Sequence, residues 1–474
     1  LKLLRTTFGV SPLKNGPDPE LKFIRKRIVS LALPVMGENV LHLAFSFVDM
    51  IFVGQLGVAP LAGVGLAFQV LFILQSLLAA FSTGTMVLVA HHIGARDEKG
   101  AQRVTFQALY LVTALAAVLG LLGAFYSRNI LSLFGADEEV TMFASDYLTY
   151  ILVPAAVLVT MFTLTAALRG AGDTRTPLYI SIIANLLNIP ADYVMIFGHF
   201  GFPALGVAGA AIATSVCRAF AVLVLLAIVF SGRAKIRLSI ANMPKPEMKE
   251  FYRILRVGVP ASVEQLMMSL GAAVYASLVL GLGTSTYAAH RIAFNVESIS
   301  FMPSFGFAIA ASSLVGQFRG AGDDPKAERT AFEVLKVAVV FTSVVCVLLL
   351  LFPEPLVRLF TQDLGVTAMS SQVIRIIAVV QPLLGTGFVM SGALRGAGDT
   401  RFPMISTSLG TWVVRIPLTH ILITFMSAGL VGAWLAMAVD IAVRSVMAYA
   451  KFRSNSWRKI HLVPREFAHA TRHA

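Results

Sequence analysis

Apolar stretches long enough to cross a bilayer recur along almost the whole chain, separated by short polar connections. A hydrocarbon core of ~30 Å takes about 20 helical residues to cross. On that criterion the pattern predicts twelve spans, at 27–54, 60–90, 101–125, 140–167, 176–198, 205–231, 250–281, 285–317, 329–352, 367–393, 402–426 and 430–451. Six fall in each half of the chain. The expected fold is all-α and integral to a membrane, with a first lobe at 22–231, a basic linker at 232–249 containing Pro244 and Pro246, a second lobe at 250–452, and terminal tails at 1–21 and 453–474.

The two halves are related by an internal repeat. The nonapeptide Ala-Leu-Arg-Gly-Ala-Gly-Asp-Thr-Arg stands at 167–175 and again at 393–401, and both copies are followed two residues later by proline. The same offset of 226 maps Arg27 onto Arg253, Pro34 onto Pro260, Glu38 onto Glu264, Gly57 onto Gly283, Gly94 onto Gly320 and Asp97 onto Asp323, with no gap until the loops after Pro177 and Pro403. Because each half crosses an even number of times, the halves run in the same direction about an axis along the membrane normal. Neither nonapeptide continues to the lysine and hydroxyl of a phosphate-binding loop. Both are expected to be tight turns, with glycines taking unusual backbone angles and Asp173 and Asp399 capping the following helices.

Composition agrees with a bilayer setting: hydrophobic residues make up 57% and charged residues 13%, with a mean hydropathy of +0.79. The net charge of +13 does not imply nucleic acid. Basic residues concentrate in every second connection, while the alternate loops hold only Arg128 and Arg358. By the positive-inside rule both termini are then cytoplasmic, in a multi-pass protein of the plasma (inner) membrane. Residues 1–20 show no signal-peptide pattern. Cys217 and Cys346 lie in spans of different halves, which argues against a disulfide framework. Zinc-protease, nucleophile-elbow and ATP-binding motifs are absent from the sequence, so neither an enzyme nor an ATP-driven pump is expected.

Polar groups inside spans are costly and tend to face a bundle interior or a water-filled cavity. Glu38, His42, Phe45 and Asp49 share one face of the first span. Asn185, Asn188 and Asp192 share one face of the fifth, with Pro190 between the last two. Asp49 and Asp192 both fall roughly 8–9 Å from the same end of their spans at 1.5 Å per residue. Pro190 removes a backbone donor and can free a carbonyl, and Thr214 enters the sixth span at a similar depth. This oxygen-rich set suits a proton or a hard cation, including sodium at Asp49, Asn188 and Asp192. A purely structural role for the two aspartates is the alternative, and a packed, hydrogen-bonded imidazole is the plainer reading of His42. Glu38 and Glu264 occupy equivalent places, where an inner-closure role and a transport role both remain open. Symmetry fails elsewhere: Asp49 becomes Tyr275, and aligning Pro190 with Pro417 turns Asn188 into Arg415 and Asp192 into Thr419. Asp440, Arg444, Arg291 and Arg375 are candidates for interhelical or interfacial pairs.

With Pro34, Val48-Asp49-Met50-Ile51-Phe52-Val53-Gly54-Gln55-Leu56-Gly57, the paired Leu-Arg-Gly-Ala-Gly-Asp-Thr turns and Asn188-x-x-x-Asp192, the chain resembles the multidrug and toxic compound extrusion (MATE) family over about residues 22–455. The resemblance implies two six-helix lobes forming a V. It also implies export of amphipathic, often cationic compounds in exchange for protons or sodium ions, with no other cofactor. By motif match it carries the family's first-lobe ion site onto Asp49, Asn188, Asp192 and Thr214, and a proposed helix-bending proline onto Pro34. Met268 and Leu384 stand where a NorM-like branch has its second-lobe acids, so the chain reads as DinF-like or archaeal-like. Small-molecule drugs or toxic metabolites and membrane lipids are the expected partners, and a monomer is expected. A lipid-linked precursor flippase on the same fold and a non-transporting receptor or scaffold are the rival readings.

Overall fold

A computed structural model describes residues 19–463; most of the expected tail at 1–21 and half of that at 453–474 lie outside the described residues. Among the described residues, nine single helices are long and apolar enough to cross a membrane. They are α1 (Pro19–Gly54), α2 (Val58–Gly94), α3 (Glu98–Ser132), α6 (Arg175–Phe197), α7 (Gly206–Phe230), α8 (Met248–Leu280), α9 (Thr284–Gly320), α10 (Asp324–Leu351) and α16 (Gly429–Arg453). Two further spans are bent pairs: α4 (Glu138–Leu152) meets α5 (Ala155–Gly170) at 58°, and α12 (Leu364–Val379) meets α13 (Gln381–Gly396) at 53°. A short α11 (Pro353–Arg358) precedes α12. The remaining predicted span, at 402–426 between α13 and α16, is α14 (Arg401–Leu409), a π-helical turn (Gly410–Arg415) and α15 (Ile416–Thr424) in unbroken succession.

The uninterrupted spans expected at 140–167 and 367–393 are therefore broken, and proline supplies the reason. Pro154 sits between α4 and α5, and Pro382 opens α13. Each lacks the amide hydrogen that would carry the ladder across the break. Pro34 and Pro190 lie inside α1 and α6 without dividing either helix.

The π turn corrects the expected position of the gap between the repeats. Ser181 and Thr407 are still 226 apart, whereas Pro190 and Pro417 are 227 apart. One extra residue has entered the second half between those landmarks, where Gly410–Arg415 is π-helical. A one-residue insertion is absorbed in a helix by widening one turn, which is how π-bulges arise, often at functional sites. The gap lies inside a span and not in a loop.

The halves exchange core residues at the end of the molecule that carries the repeated turns. Ile24, Ile28 and Leu31 of α1 are buried in a core built mainly from α9, α10 and α13. Ile254 of α8, the repeat partner of Ile28, is buried with first-half residues such as Leu88, Leu164 and Leu225. Glycines permit this closure. A Cβ on Gly94 would lie 1.8 Å from the Gln317 carbonyl oxygen, and one on its repeat partner Gly320 would lie 1.9 Å from that of His91. Gly94→Val and Gly320→Val should each destabilise the protein by about 1–3 kcal/mol or more, because backbone must move. Thermal unfolding in detergent checks this, and the two losses should be similar.

Candidate functional site

Three helices of the first half bring the predicted polar residues together. Asp192 on α6 is 0% exposed, and Asn188, one turn earlier, is also buried. Asn188 donates from Nδ2 to Thr214 Oγ1 of α7 at 3.5 Å. Asp49, half-buried on α1, lies within interaction range of the Asp192 carboxyl group. Packing beside them is aromatic: Phe52 meets Tyr193 at 6.4 Å and Phe197 at 6.1 Å, holding α1 against α6. Asp49 Oδ1 and both Asp192 oxygens are buried without a hydrogen-bond donor. Two carboxylates in this state cannot both remain charged without a proton, a cation or water between them. The donor set is all oxygen, which fits a proton or a hard monovalent cation.

Sequence reasoning missed two neighbours of this pair. Arg218, one turn beyond Thr214 on α7, acts electrostatically on Asp49 and His42. Its signal was a solitary arginine inside an apolar span. Tyr147 of α4, buried, lies in the field of both aspartates. The structure leaves His42 at the edge of the group. Its ring is exposed, with Nδ1 3.5 Å from Ser46 Oγ, so it is not a packed core imidazole as expected.

The second half inverts this chemistry. Arg415, delivered by the π turn, pairs with Asp440 Oδ2 of α16 at 2.6 Å, and Arg444 pairs with Asp440 Oδ1 at 2.8 Å. Gly410 leaves the room these side chains occupy, since a Cβ there would lie 2.2 Å from Asp440 Oδ1. The Arg415 guanidinium lies 5.8 Å from the Tyr275 ring centroid, and the His290 ring stands 5.6 Å from Tyr275. Thr419 is buried with its hydroxyl unpartnered. Glu297 of α9, also buried and missed in the sequence, feels both Arg415 and Arg444. Two carboxylates thus face two guanidiniums, whereas in the first half the paired carboxylates have a single guanidinium, Arg218, which acts on Asp49. Arg375 meets Glu354 at 3.7 Å on the exposed surface.

Glu38 and Glu264 make matching contacts. Arg169 of the first nonapeptide bonds Glu38 at 2.7 Å and Ser181 donates to it at 3.2 Å. Arg395 of the second bonds Glu264 at 2.6 Å and Thr407 donates to it at 3.1 Å. These pairs clamp the first helix of each half to the repeated turn. Arg169→Ala and Arg395→Ala should each cost about 3–5 kcal/mol by leaving a largely buried carboxylate unpaired. Chemical denaturation should show equal losses if the clamps are equivalent.

The turns are built as expected. Gly172 and Gly398 have φ of 79° and 98°, and Asp173 and Asp399 accept from the backbone amides of Thr176 and Phe402 at 3.0 and 3.1 Å. Lys235 donates to the Gly172 carbonyl at 2.8 Å, and burial holds its ammonium below the usual lysine range. His91 Nε2 lies 2.8 Å from the Gly396 carbonyl oxygen, and His92 Nδ1 2.8 Å from Asp97 Oδ2, so both histidines belong to the closed end.

Known proteins resemble the chain throughout. The MatE family model matches residues 34–194 and 260–421, one match per half. A probable multidrug resistance protein NorM of Thermotoga maritima is 37% identical over 451 residues, covering 95% of this chain and 97% of its own. An uncharacterized transporter, YisQ, of Bacillus subtilis is 26% identical, covering 96% and 98%. Among solved structures, a MATE protein in complex with MaL6 superposes with a TM-score of 0.85 at 25% identity, covering 94% of this chain and 100% of its own. A transporter of the MOP superfamily from Pyrococcus furiosus gives 0.84 at 25% identity, covering 94% and 100%. The repeated sequence, the helical architecture and these likenesses converge: the chain belongs to the MATE family of membrane transporters and has its V-shaped fold of two six-helix lobes.

Proposed function

We propose that the protein is a secondary active exporter of amphipathic, often cationic drugs or toxic metabolites, exchanging them for protons or sodium ions by alternating access. The observation that carries this reading is the Asp49–Asp192 pair, whose buried oxygens have no protein donor, with Arg218 acting on the Asp49 side of it. Asn188 and Thr214 extend its polar surface. An ion entering here neutralises the pair and weakens its attraction for a cationic substrate. Pro34 lies close to four helical turns below Asp49 on α1. There the missing ladder bond makes bending cheap, so neutralisation and helix shape can be linked. Pro190 plays the corresponding part beside Asp192.

The lobes, assigned to 22–231 and 250–452 with the linker between them, would rock about their shared core. The basic turns would face the cytoplasm of a cell with this protein in its plasma membrane. Convergence of Gly94, Gly320 and Ile254 at that end supports a state closed to the cytoplasm. The functional unit is a monomer, since each chain carries both lobes. Relatives named as probable multidrug resistance proteins support the substrate class.

Expression in cells lacking their own exporters tests this reading. Accumulation of a cationic dye should fall, and dissipating the ion gradients should restore it. Unchanged accumulation, together with rescue of a strain deficient in a lipid-linked precursor flippase, would reassign the cargo.

A further inference from the structure

A cavity of about 510 Å³ opens beside α1 at the end bearing the repeated turns. Its wall carries Arg25, Lys26 and Arg175, and its apolar side is formed by Val29, Leu33 and Pro34. No carboxylate lines it. Arg25 leans toward Glu333 of α10 at 3.0 Å yet its side chain is 57% exposed. Lys26 and Arg175 are exposed and make no ion pair among the described residues. Leu33, 59% exposed, and Val29 face outward from the protein at the level where α1 enters the apolar part of its span.

We infer that this cavity binds the phosphate headgroup of an anionic glycerophospholipid from the leaflet on the basic side of the protein. Cations alone would attract any soluble anion, and an apolar wall alone would take any acyl chain. The two together select an amphipathic anion, and basic pockets between helices at this level are suited to lipid headgroups. Arg175 begins α6, so the positive end of that helix reinforces the field. The internal repeat supports a dedicated site. At the equivalent places in the second half, Phe251 and Tyr252 replace Arg25 and Lys26, and Arg256 replaces Ser30, while the apolar wall is kept as Leu255, Val259 and Pro260. Two of the three cations are therefore particular to the first half. The cavity shares Pro34 with the bend proposed for α1, but its three cations lie apart from the Asp49–Asp192 pair, so loss of lipid binding and loss of ion coupling are distinguishable.

Intact-protein mass spectrometry of the purified full chain, titrated in turn with short-chain phosphatidylglycerol, phosphatidylcholine and inorganic phosphate, reads the occupancy. Phosphatidylglycerol should be retained as a one-to-one adduct well above the other two. Lys26→Gln and Arg175→Gln should each weaken it about fivefold, as expected for one interfacial charge. Arg233→Gln, an equal loss of charge in the exposed linker, should leave it unchanged. Both cavity residues are exposed, so the variants should fold, and unaltered melting temperatures confirm it. Equal retention of phosphatidylcholine, retention of inorganic phosphate alone, or insensitivity to both cavity substitutions would overturn the inference.

Discussion

Asp192→Asn will reduce ion-coupled export by roughly tenfold to a hundredfold, the range of a typical coupling free energy between sites, while leaving the protein as stable as before or more so. The opposite signs follow from one observation. Asp192 is 0% exposed and neither of its oxygens has a protein donor. Its charge is costly to the fold and valuable only if something enters to neutralise it. Asparagine keeps the shape and removes the titratable, cation-binding oxygen. Asp49→Asn should act in the same direction, with a smaller gain in stability, because Asp49 is half-buried and lies near Arg218. Dye efflux from vesicles, paired with melting temperatures in detergent, separates this outcome from that of a structural acid, whose removal would lower both.

Removing Asp440 should do the reverse and damage the fold first. Its carboxylate is 0% exposed and holds Arg415 at 2.6 Å and Arg444 at 2.8 Å. Asp440→Ala strands both guanidiniums beside the π turn, and breaking a buried pair costs about 3–5 kcal/mol. Glu297 cannot balance two arginines alone. As a control, Arg375→Ala breaks the exposed contact with Glu354 at 3.7 Å, where a cost below about 1 kcal/mol is expected. Denaturation curves for the two variants should differ by several kilocalories per mole. A mild Asp440→Ala would mean that the second-half cluster is wet and adaptable.

The fold was legible because a duplicated sequence carries its own alignment. The 226-residue offset identified Glu38 and Glu264 as equivalents before their matching bonds to Arg169 and Arg395 were visible. The partners themselves were not legible, since a residue pair 131 positions apart leaves no local pattern. Asp49 and Asp192 stood out because ionised groups are rare in apolar runs. Arg218 stands in such a run too, one turn beyond Thr214, but its own helix offers no carboxylate at helical spacing to point to it. The π turn was hidden for a different reason. An insertion shows in sequence only as a change of offset from 226 to 227, and a loop is the usual place to put it. Bends at Pro154 and Pro382 were missed because hydropathy measures apolar length and is blind to direction.

Reconstituted transport of a cationic dye, with pH and sodium gradients imposed one at a time, tests the central claim most directly. The account predicts that at least one inward ion gradient drives dye export by the unaltered protein, and that the Asp49→Asn/Asp192→Asn protein, equally folded, responds to neither. Gradient-driven export that persists in the double variant would contradict it.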